Sequence, residues 1–334
     1  MSGREERNEV IERSIENILD AQPDYLSHFY VSLTDILPLT QRSYIVLIVK
    51  FLNQAFPQWG LDPWNEDDLA LITPKEIQQW LFEMEGGNGT KNNMYFALKK
   101  FFSFLALNEY ISKDPMARIR KPKSPKINEA VALTPEETKI VFNNIKHPEL
   151  TNKDDSVSYR EMCIRKRYVN RNLAILSLAL TSGIRSSSLL EIDVDDIDFD
   201  EGTIQIVQKG DRYHTVYLSE NTKKYLKKWL EERKEILRKT GKRNDALFLG
   251  MRGDRFAYKE FKKLLDWATY GIDKKITTHK LRSTCATTLY NQTKDLNLTA
   301  RVLGHANVDV TRRYIHVEAD KERGAINGLG EIFE

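Results

Sequence analysis

Five places in the second half of the sequence carry side chains that can bind an anion, transfer a proton or attack as a nucleophile. Arginine forks pair with two oxygens of a phosphate, histidine and lysine move protons, and a tyrosine hydroxyl can form a covalent intermediate. Taken singly, each also has an ordinary structural explanation, as a surface ion pair, a solvated turn or part of a core. In chain order the candidates are Arg185, Lys209, the pair His279 and Arg282, His305, and Tyr314.

The spacing of these candidates brings some of them together. His279 and Arg282 are three residues apart in THKLRSTCATTLY, a predicted helix, so both should project from one face. His305 and Tyr314 are nine residues apart, on either side of a predicted turn at Gly304-His305-Ala306-Asn307. Lys209 lies in the turn of a predicted β-hairpin.

The elements around these residues predict a mainly helical second domain with a small antiparallel sheet. Thr134-Pro135-Glu136-Glu137 is a strong helix start, with a capping threonine, a proline at the first helical position and a glutamate that completes a capping box. Thr278 is expected to cap the helix that carries Arg282. The other predicted elements are a buried helix at Asn170–Thr181 that ends at Ser182-Gly183, strands at Thr203–Val207 and Tyr213–Leu218, and helices at Asn221–Lys239, Tyr258–Thr269 and His279–Tyr290.

The first third of the chain reads as a small helical domain without strands. Thr40 opens the apolar helix SYIVLIVKFLNQAF, and Thr73-Pro74-Lys75-Glu76 opens another. Gly86–Gly89 is predicted to be a turn, and Asn92–Tyr110 to be a long amphipathic helix. The aromatic residues of that helix are assigned to the core rather than to a stacking platform for bases, namely Tyr95, Phe96, Phe101, Phe102 and Phe104.

A proline-rich, basic segment separates the two halves. Residues 113–126 read KDPMARIRKPKSPK and carry a net charge of +5, whereas residues 1–112 carry −7 and residues 127–334 carry +5. Proline removes a backbone donor and favours extended geometry, so this segment is a predicted linker. The high positive charge of this segment has two interpretations. It could bind a polyanion at the junction of the two domains, or it could be a solvated linker, and the charge alone fits both equally well.

Composition excludes several classes of protein. The chain has 334 residues, enough for two domains, with 30% charged and 41% hydrophobic residues, as in ordinary globular proteins. No apolar stretch approaches the roughly 18 residues of a membrane span, and no secretory signal is visible. Two cysteines cannot build a disulfide framework or a zinc cluster. The acidic run Asp193–Glu201 lacks the glycine of an EF-hand loop, so no metal site is predicted.

Together, the five places resemble the signature of the tyrosine recombinase (phage integrase) family. The match is strongest in TSGIRSSSLLEIDVDDIDFDEGTIQIVQKGDRYHTVYL and in HKLRSTCATTLY followed by ARVLGHANVDVTRRYIHV. The family pattern is an Arg, a hairpin Lys, His-x-x-Arg, a His in a Leu-Gly-His turn and a Tyr nine residues later, and each has a counterpart here in order. The resemblance implies a helical core-type DNA-binding domain (1–112), a basic linker (113–130) and an α+β catalytic domain with a C-terminal exchange segment (131–334).

The resemblance also implies a metal-free and cofactor-free mechanism of strand transfer. Arg185 and Arg282 would bind the non-bridging oxygens of the scissile phosphate, assisted by His305, and Tyr314 would attack to form a 3′-phosphotyrosine. His279 would accept the tyrosine proton, and Lys209 would protonate the leaving 5′-hydroxyl. One departure is Ser188, which stands where many members carry Glu, so the support of Arg185 is expected to differ.

Other basic residues are candidates for contacts with DNA phosphates, although a solvated surface explains them equally well. A second basic cluster comprises Arg160, Arg165, Lys166, Arg167 and Arg171, with the same two interpretations. The predicted DNA contacts of the first domain and the linker are Arg42, Lys91, Lys99, Lys100, Arg118, Arg120, Lys121 and Lys123.

The implied activity is site-specific recombination through a Holliday junction, by a homotetramer on two duplex recombination sites. The apolar side chains of Ile326–Phe333 would dock in a neighbouring subunit, and accessory DNA-bending proteins are possible partners. The expected location is the cytoplasm, at the nucleoid when DNA is bound. The alternatives are a type IB topoisomerase and a DNA-binding regulator that has lost catalysis.

Overall fold

The computed structural model describes residues 3–122, 132–152, 156–208, 212–304 and 311. The chain divides into two compact units, Gly3–Lys126 and Ile127–Glu334. Each unit has its own hydrophobic core. None of the helices within the described ranges combines the length and the apolar character needed to cross a lipid bilayer.

The regular secondary structure in the described residues of unit 1 is entirely helical. Its core is aromatic, and Tyr25, Phe29, Phe51, Phe101 and Phe102 are fully buried. The rings of Phe29 and Phe101 meet edge to face with centroids 5.2 Å apart, a favourable aromatic geometry. Its helices are α1 (Gly3–Leu19), α2 (Asp24–Val31), α3 (Pro38–Gln58), α4 (Glu66–Leu69), α5 (Pro74–Glu83) and α6 (Asn88–Leu107).

The predicted helix starts in unit 1 are confirmed only in part, because α3 begins at Pro38 with Leu37 as its N-cap and not at Thr40. The expected capping box of Thr73 and Glu76 opens α5. In contrast, the predicted turn at Gly86–Gly89 is wrong in its second half, because α6 begins at Asn88 with Gly87 as its N-cap. The first turn of a helix contains N–H groups that have no helical partner, so Gly89 costs little there. The helix also ends earlier than expected, at Leu107.

The beginning of the predicted linker packs on unit 1. Pro115–Arg118 forms a 3-10 turn that contacts α5 and α6. Met116 and Ile119 are buried in the core of unit 1, and the Tyr95 hydroxyl donates to the carbonyl oxygen of Ile119 at 3.0 Å. The two apolar side chains explain this anchoring, because they withdraw from water on the surface of α6.

Unit 2 surrounds a buried central helix, α9, with further helices and a three-stranded antiparallel sheet. Ten of the 14 residues of α9 are buried, and α7, α11 and α13 pack against it. The strands follow the order β1-β2-β3, with Ile204 opposite Val216 and Ile206 opposite His214. The elements are α7 (Pro135–Lys146), α8 (Tyr159–Arg167), α9 (Val169–Ser182), α10 (Ser186–Glu191), β1 (Ile197–Asp198), β2 (Thr203–Gln208), β3 (Arg212–Tyr217), α11 (Glu220–Thr240), α12 (Tyr258–Ala268), α13 (Thr278–Thr293) and α14 (Leu296–Leu303).

The predicted elements of unit 2 are all present, but most of their ends shift by one residue, and α13 continues to Thr293 instead of ending at Tyr290. The capping box of Thr134 and Glu137 opens α7 as expected, and Gly183 ends α9 in the left-handed conformation. The predicted cap Thr278 is wrong, because Thr278 is already helical and the N-cap is Thr277, whose side chain makes no capping bond. The shift follows from two adjacent threonines, either of which could start the helix.

Candidate active site

Arg185 lies on the short connection between two helices of unit 2. The preceding helix, α9, ends at Ser182, and Gly183 follows with φ +60°. Arg185 is the N-cap residue of α10, and its carbonyl oxygen accepts the first helical bond, from Leu189 N at 2.9 Å. The connection is therefore fixed by backbone bonds at both ends, while the Arg185 side chain is exposed to solvent and accessible to a large ligand.

The connection is also held from the far end of α10. The Arg255 guanidinium donates to the carbonyl oxygens of Leu190 and Ile192 at 3.2 and 3.3 Å, and to Asp193 Oδ1 at 2.6 Å. Those carbonyls lie at the C-terminus of α10, where helical partners are lacking. Arg255 thereby satisfies them and fixes the short helix that begins at Arg185.

Arg282 is buried and joins two distant segments of unit 2. It lies in α13 with 4% of its surface exposed. Its Nη1 donates to the carbonyl oxygen of Gly183 at 2.6 Å, and its Nη2 donates to that of Leu303 at 2.8 Å. Gly183 precedes Arg185 by two residues, and Leu303 precedes His305 by two. Because the guanidinium is planar and rigid, its two charged hydrogen bonds fix the position of the Gly183 backbone relative to the Leu303 backbone.

Close packing at Gly183 explains why glycine is needed there. A Cβ at this position would come within 2.4 Å of Leu303 Cδ2 and 3.2 Å of Cys285 Sγ. The positive φ independently disfavours a side chain. Because α9, α13 and α14 meet at this point, the missing side chain lets the end of α14 approach the Arg185 connection.

Arg185 and Arg282 line one narrow cleft of unit 2. Two cations placed side by side repel each other, and a shared anion relieves that repulsion. A phosphate offers oxygen pairs that match guanidinium geometry. The walls of the cleft are formed by Ser182, Ile184, Arg185, Ser188, Ile206, His214, Val216, Arg282, Val302 and Leu303.

Ser188 lines this cleft as well. It is buried, with 7% of its surface exposed, on the first turn of α10. Its short hydroxyl carries no charge, unlike the glutamate expected from the family pattern. The electrostatic balance of the cleft is therefore set without a carboxylate at this position.

His214 is a cleft residue that the motif did not identify. It lies on β3, and its Nε2 is 3.1 Å from the carbonyl oxygen of Val302 in α14. Burial lowers its pKa below the ordinary value, and the charges of Arg282 and Arg185 lower it further against the opposing effect of the Val302 bond. The alternation of β3 is the signal that could have found it, because His214 shares the inward face with Val216.

His279 lies apart from the cleft walls. It occupies the second position of α13 and is exposed, whereas Arg282, one turn later, is buried. The two residues were expected on one face of the helix, and along that face His279 is exposed to solvent whereas Arg282 is buried. Lys209, His305 and Tyr314 lie outside the described residues.

The predicted DNA contacts of unit 1 fall on different surfaces. Lys91 and Arg120 line one groove, together with Gln78 and the exposed Phe82. The Lys91 ammonium also donates to the Phe82 carbonyl oxygen. Lys100 instead lines a groove on another side of α6, where it is 3.5 Å from Asp35.

The remaining basic candidates have varied surroundings. Arg42 Nε donates to Ser14 Oγ at 2.9 Å. Lys121 lies over the Phe96 ring at 5.0 Å, and the assignment of Phe96 to the core is wrong, because 43% of this residue is exposed. Lys99 and Arg118 are exposed. Lys123 lies outside the described residues.

Two members of the basic cluster in unit 2 serve packing. Arg171 is buried between the rings of Tyr168 and Phe256, at 4.2 and 4.4 Å from their centroids, and donates to the Leu249 carbonyl at 2.8 Å. Burial lowers its pKa to about 10. Arg165 lies over the Trp267 ring. These contacts favour the structural interpretation over DNA contact for both residues.

Among the residues with described positions, no three His, Cys, Asp or Glu side chains converge in a way that could hold a metal ion. The cleft itself presents cationic and neutral polar groups. Its chemistry therefore suits an anion.

Comparison with known proteins identifies the family. The family model described as the phage integrase family matches residues 151–321. The tyrosine recombinase XerD of Oceanobacillus iheyensis is 31% identical over 223 residues, which cover 66% of this chain and 69% of the relative. The tyrosine recombinase XerC of Caldanaerobacter subterraneus is 32% identical over 237 residues, or 69% of this chain and 60% of the relative.

Solved structures share the fold. The XerH site-specific recombinase bound to palindromic difH substrate, a post-cleavage complex, superposes with a TM-score of 0.64 and 23% identity over 95% of this chain and 88% of that one. A lambda integrase dimer bound to a COC′ core site gives a TM-score of 0.61 and 19% identity over 91% of this chain and 99% of that one. The predicted fold class, mainly α with a small antiparallel sheet, is confirmed. From the cleft, the family model and these relatives together, the chain belongs to the phage integrase family and is a tyrosine recombinase, an enzyme of site-specific DNA recombination.

Proposed function

We propose that this recombinase cuts and rejoins duplex DNA with Tyr314 as its nucleophile. The phenolic oxygen forms a bond to the scissile phosphorus, and the bond from phosphorus to the 5′-oxygen breaks. His279 accepts the phenolic proton, and Lys209 donates a proton to the leaving 5′-oxygen, which becomes the 5′-hydroxyl. The product is a 3′-phosphotyrosine, which keeps a phosphodiester bond for religation.

The observation that carries this proposal is the shared cleft of Arg185 and Arg282. The pentacoordinate transition state bears more negative charge than the ground-state diester, so donors fixed in advance stabilise it selectively. Arg282 is fixed by its bonds to Gly183 and Leu303, and Arg185 by the backbone of the α9–α10 connection. His305 follows Leu303 by two residues and adds a hydrogen bond to the same oxygens.

The assembly belongs to the same proposal. Four copies bind two duplex sites and exchange strands in pairs through a Holliday junction, and Ile326–Phe333 docks in a neighbouring subunit. Unit 1 grips the duplex as a core-type DNA-binding domain, and the basic linker follows the backbone. Accessory DNA-bending proteins assist, and the enzyme acts in the cytoplasm at the nucleoid, where its substrate lies.

A trapping experiment tests the nucleophile. Selection from a pool of random duplexes yields an enriched site, and versions nicked at successive positions let the 5′-hydroxyl strand diffuse away after cleavage. The native protein should form a covalent adduct that mass spectrometry maps to Tyr314, and Tyr314→Phe should bind the same duplex without an adduct. An adduct on another residue, or binding without any adduct by the native protein, would overturn the proposal.

Mixing two labelled sites tests the assembly. A recombinase acting on paired sites yields joint products that carry both labels, and these products should be lost when residues 326–334 are deleted. Relaxation of supercoiled DNA without joint products would indicate an enzyme that works alone on one duplex.

A further inference from the structure

His214 is half-buried on the inward face of β3, two residues after the start of the strand at Arg212. It lies opposite Ile206 on β2, and Val216 is the next inward residue of β3. The neighbouring outward residues are accessible, with 81% of Tyr213 exposed. An imidazole at an inward position needs a polar partner, because an unpaired buried nitrogen is costly.

That partner is the backbone of α14. The His214 Nε2–H donates to the Val302 carbonyl oxygen at 3.1 Å. Val302 precedes His305 by three residues in the sequence, and β3 begins at Arg212, three residues after Lys209. One side-chain bond therefore joins the segment that leads to Lys209 with the segment that leads to His305.

Burial and the two neighbouring arginines lower the pKa of His214 and so disfavour the charged form of its imidazole. Arg282 faces it from α13 and Arg185 from α10, and both charges oppose a third one. Among the described residues of the cleft, β2 offers Ile206 and α14 offers Leu303 besides the Val302 carbonyl. With Nε2 donating, Nδ1 is the unprotonated nitrogen of the neutral ring. The His214 side chain therefore donates one hydrogen bond, which points at the Val302 carbonyl oxygen.

We propose that His214 is a positioning residue for strand cleavage: its bond to Val302 holds β3 and α14 together beside the two-arginine cleft, and thereby positions Lys209 and His305, which adjoin these two elements in the sequence. It does not touch the reacting atoms. The proposal rests on the proposed function, because it assumes that Lys209 and His305 act on the phosphate. It explains why a polar residue occupies the inward face of β3 beside two cations, where an aliphatic residue would pack more simply.

Three substitutions separate this role from others. His214→Leu removes the donor, and His214→Gln keeps an N–H donor at nearly the reach of Nε2. Thr215→Val is the matched control, because Thr215 is the next residue of β3, lies on the opposite face of the strand from His214, and donates across the strands to Gln205 Oε1 at 3.1 Å. Each full-length variant is tested for adduct formation on the enriched nicked duplex and for binding to the uncut duplex.

We expect His214→Leu to lower the single-turnover cleavage rate by about tenfold or more, while DNA affinity stays within about threefold of native. His214→Gln should restore most of the rate, and Thr215→Val should match the native protein. If His214→Leu does not fold, His214→Asn replaces it, since an asparagine amide is too short to reach Val302 and should lose the rate that glutamine keeps.

The outcomes distinguish the inference from the function on which it rests. Equal loss in His214→Leu and His214→Gln would mean that the imidazole itself is needed, and would overturn the positioning role. Native rates in both variants would overturn it as well. If the native protein forms no adduct, the failure lies in the proposed function rather than in His214.

Discussion

Arg282 donates a hydrogen bond of 2.6 Å from Nη1 to the carbonyl oxygen of Gly183, a residue 99 positions earlier in the chain. Gly183 stands two residues before Arg185, so the second arginine of the motif sets the backbone that carries the first. The two side chains are thereby coupled through structure as well as through any shared ligand. Substitutions at either end of this bond should affect the other.

Replacing Arg282 with lysine should lower cleavage by about 10²–10³-fold, because one ammonium cannot supply both backbone bonds and a forked contact to phosphate. The measurement is the single-turnover rate of adduct formation on the nicked duplex. Arg301→Lys, an exposed arginine on α14, is the control and should behave like the native protein. A native rate in Arg282→Lys would contradict the structural reading of this residue.

Replacing Gly183 with alanine should cost more stability than the left-handed backbone conformation alone would cause, because the new methyl group also clashes with Leu303. Gly183→Ala introduces a left-handed alanine, about 1–2 kcal/mol, and a clash with Leu303 that adds about 1–3 kcal/mol. The control is Gly241→Ala, which has φ +68° at the end of α11 and nothing within 4 Å of its Cβ. Urea unfolding should show the larger loss of free energy for Gly183→Ala.

Equal losses of unfolding free energy in the two alanine variants would show that the approach of Leu303 is unimportant. Cleavage should also fall in Gly183→Ala and remain native in Gly241→Ala, since only Gly183 adjoins Arg185.

Acid should weaken unit 2 through His214. Its pKa is lowered in the folded state by burial and by the two arginines, whereas an unfolded histidine titrates near about 6.5. The unfolded state therefore binds a proton first, so this contribution to stability is complete above that pH and is lost as the pH falls towards the folded pKa. Unfolding free energies at neutral and mildly acidic pH measure this loss, and His214→Gln should show a smaller one. An identical loss in the variant would contradict the assignment.

Two lysines on opposite faces of α6, Lys91 and Lys100, should differ in their effect on DNA binding. Lys91 shares a groove with Arg120, whereas Lys100 is placed beside Asp35 on another side. If the first groove meets the duplex, Lys91→Ala should weaken binding at all sequences and reduce the slope of log K against log salt by about one. Lys100→Ala should change the slope less. The reverse order would place the DNA on the Lys100 side.

Much of unit 2 could be predicted because its signals are local. The capping box at Thr134, the helix end at Gly183 and the alternation of β2 and β3 depend on residues close in sequence, and the structure has all three. The start of α6 could not be predicted as well, because glycines permit either a turn or a first helical turn. Packing of Met116 and Ile119 decides the beginning of the linker, and packing depends on tertiary contacts.

The residue types of the candidate site could be predicted from the sequence, but the hydrogen bonds that hold them in place could not. The bonds of Arg282 join backbone groups 99 and 21 residues away, and no spacing rule indicates them. The role of His214 depends likewise on a carbonyl 88 residues away. The separation of Lys91 from Lys100 was available from helix geometry, because nine residues at 3.6 per turn place them on opposite faces.

The central claim is that Arg185 and Arg282 bind the same phosphate. A structure of Tyr314→Phe bound to the uncut enriched duplex tests it most directly. The account predicts that both guanidinium groups donate to the non-bridging oxygens of the scissile phosphate, with position 314 on the opposite side of the phosphorus from the 5′-oxygen. Two arginines that contact different phosphates, or a scissile phosphate outside the cleft, would contradict it.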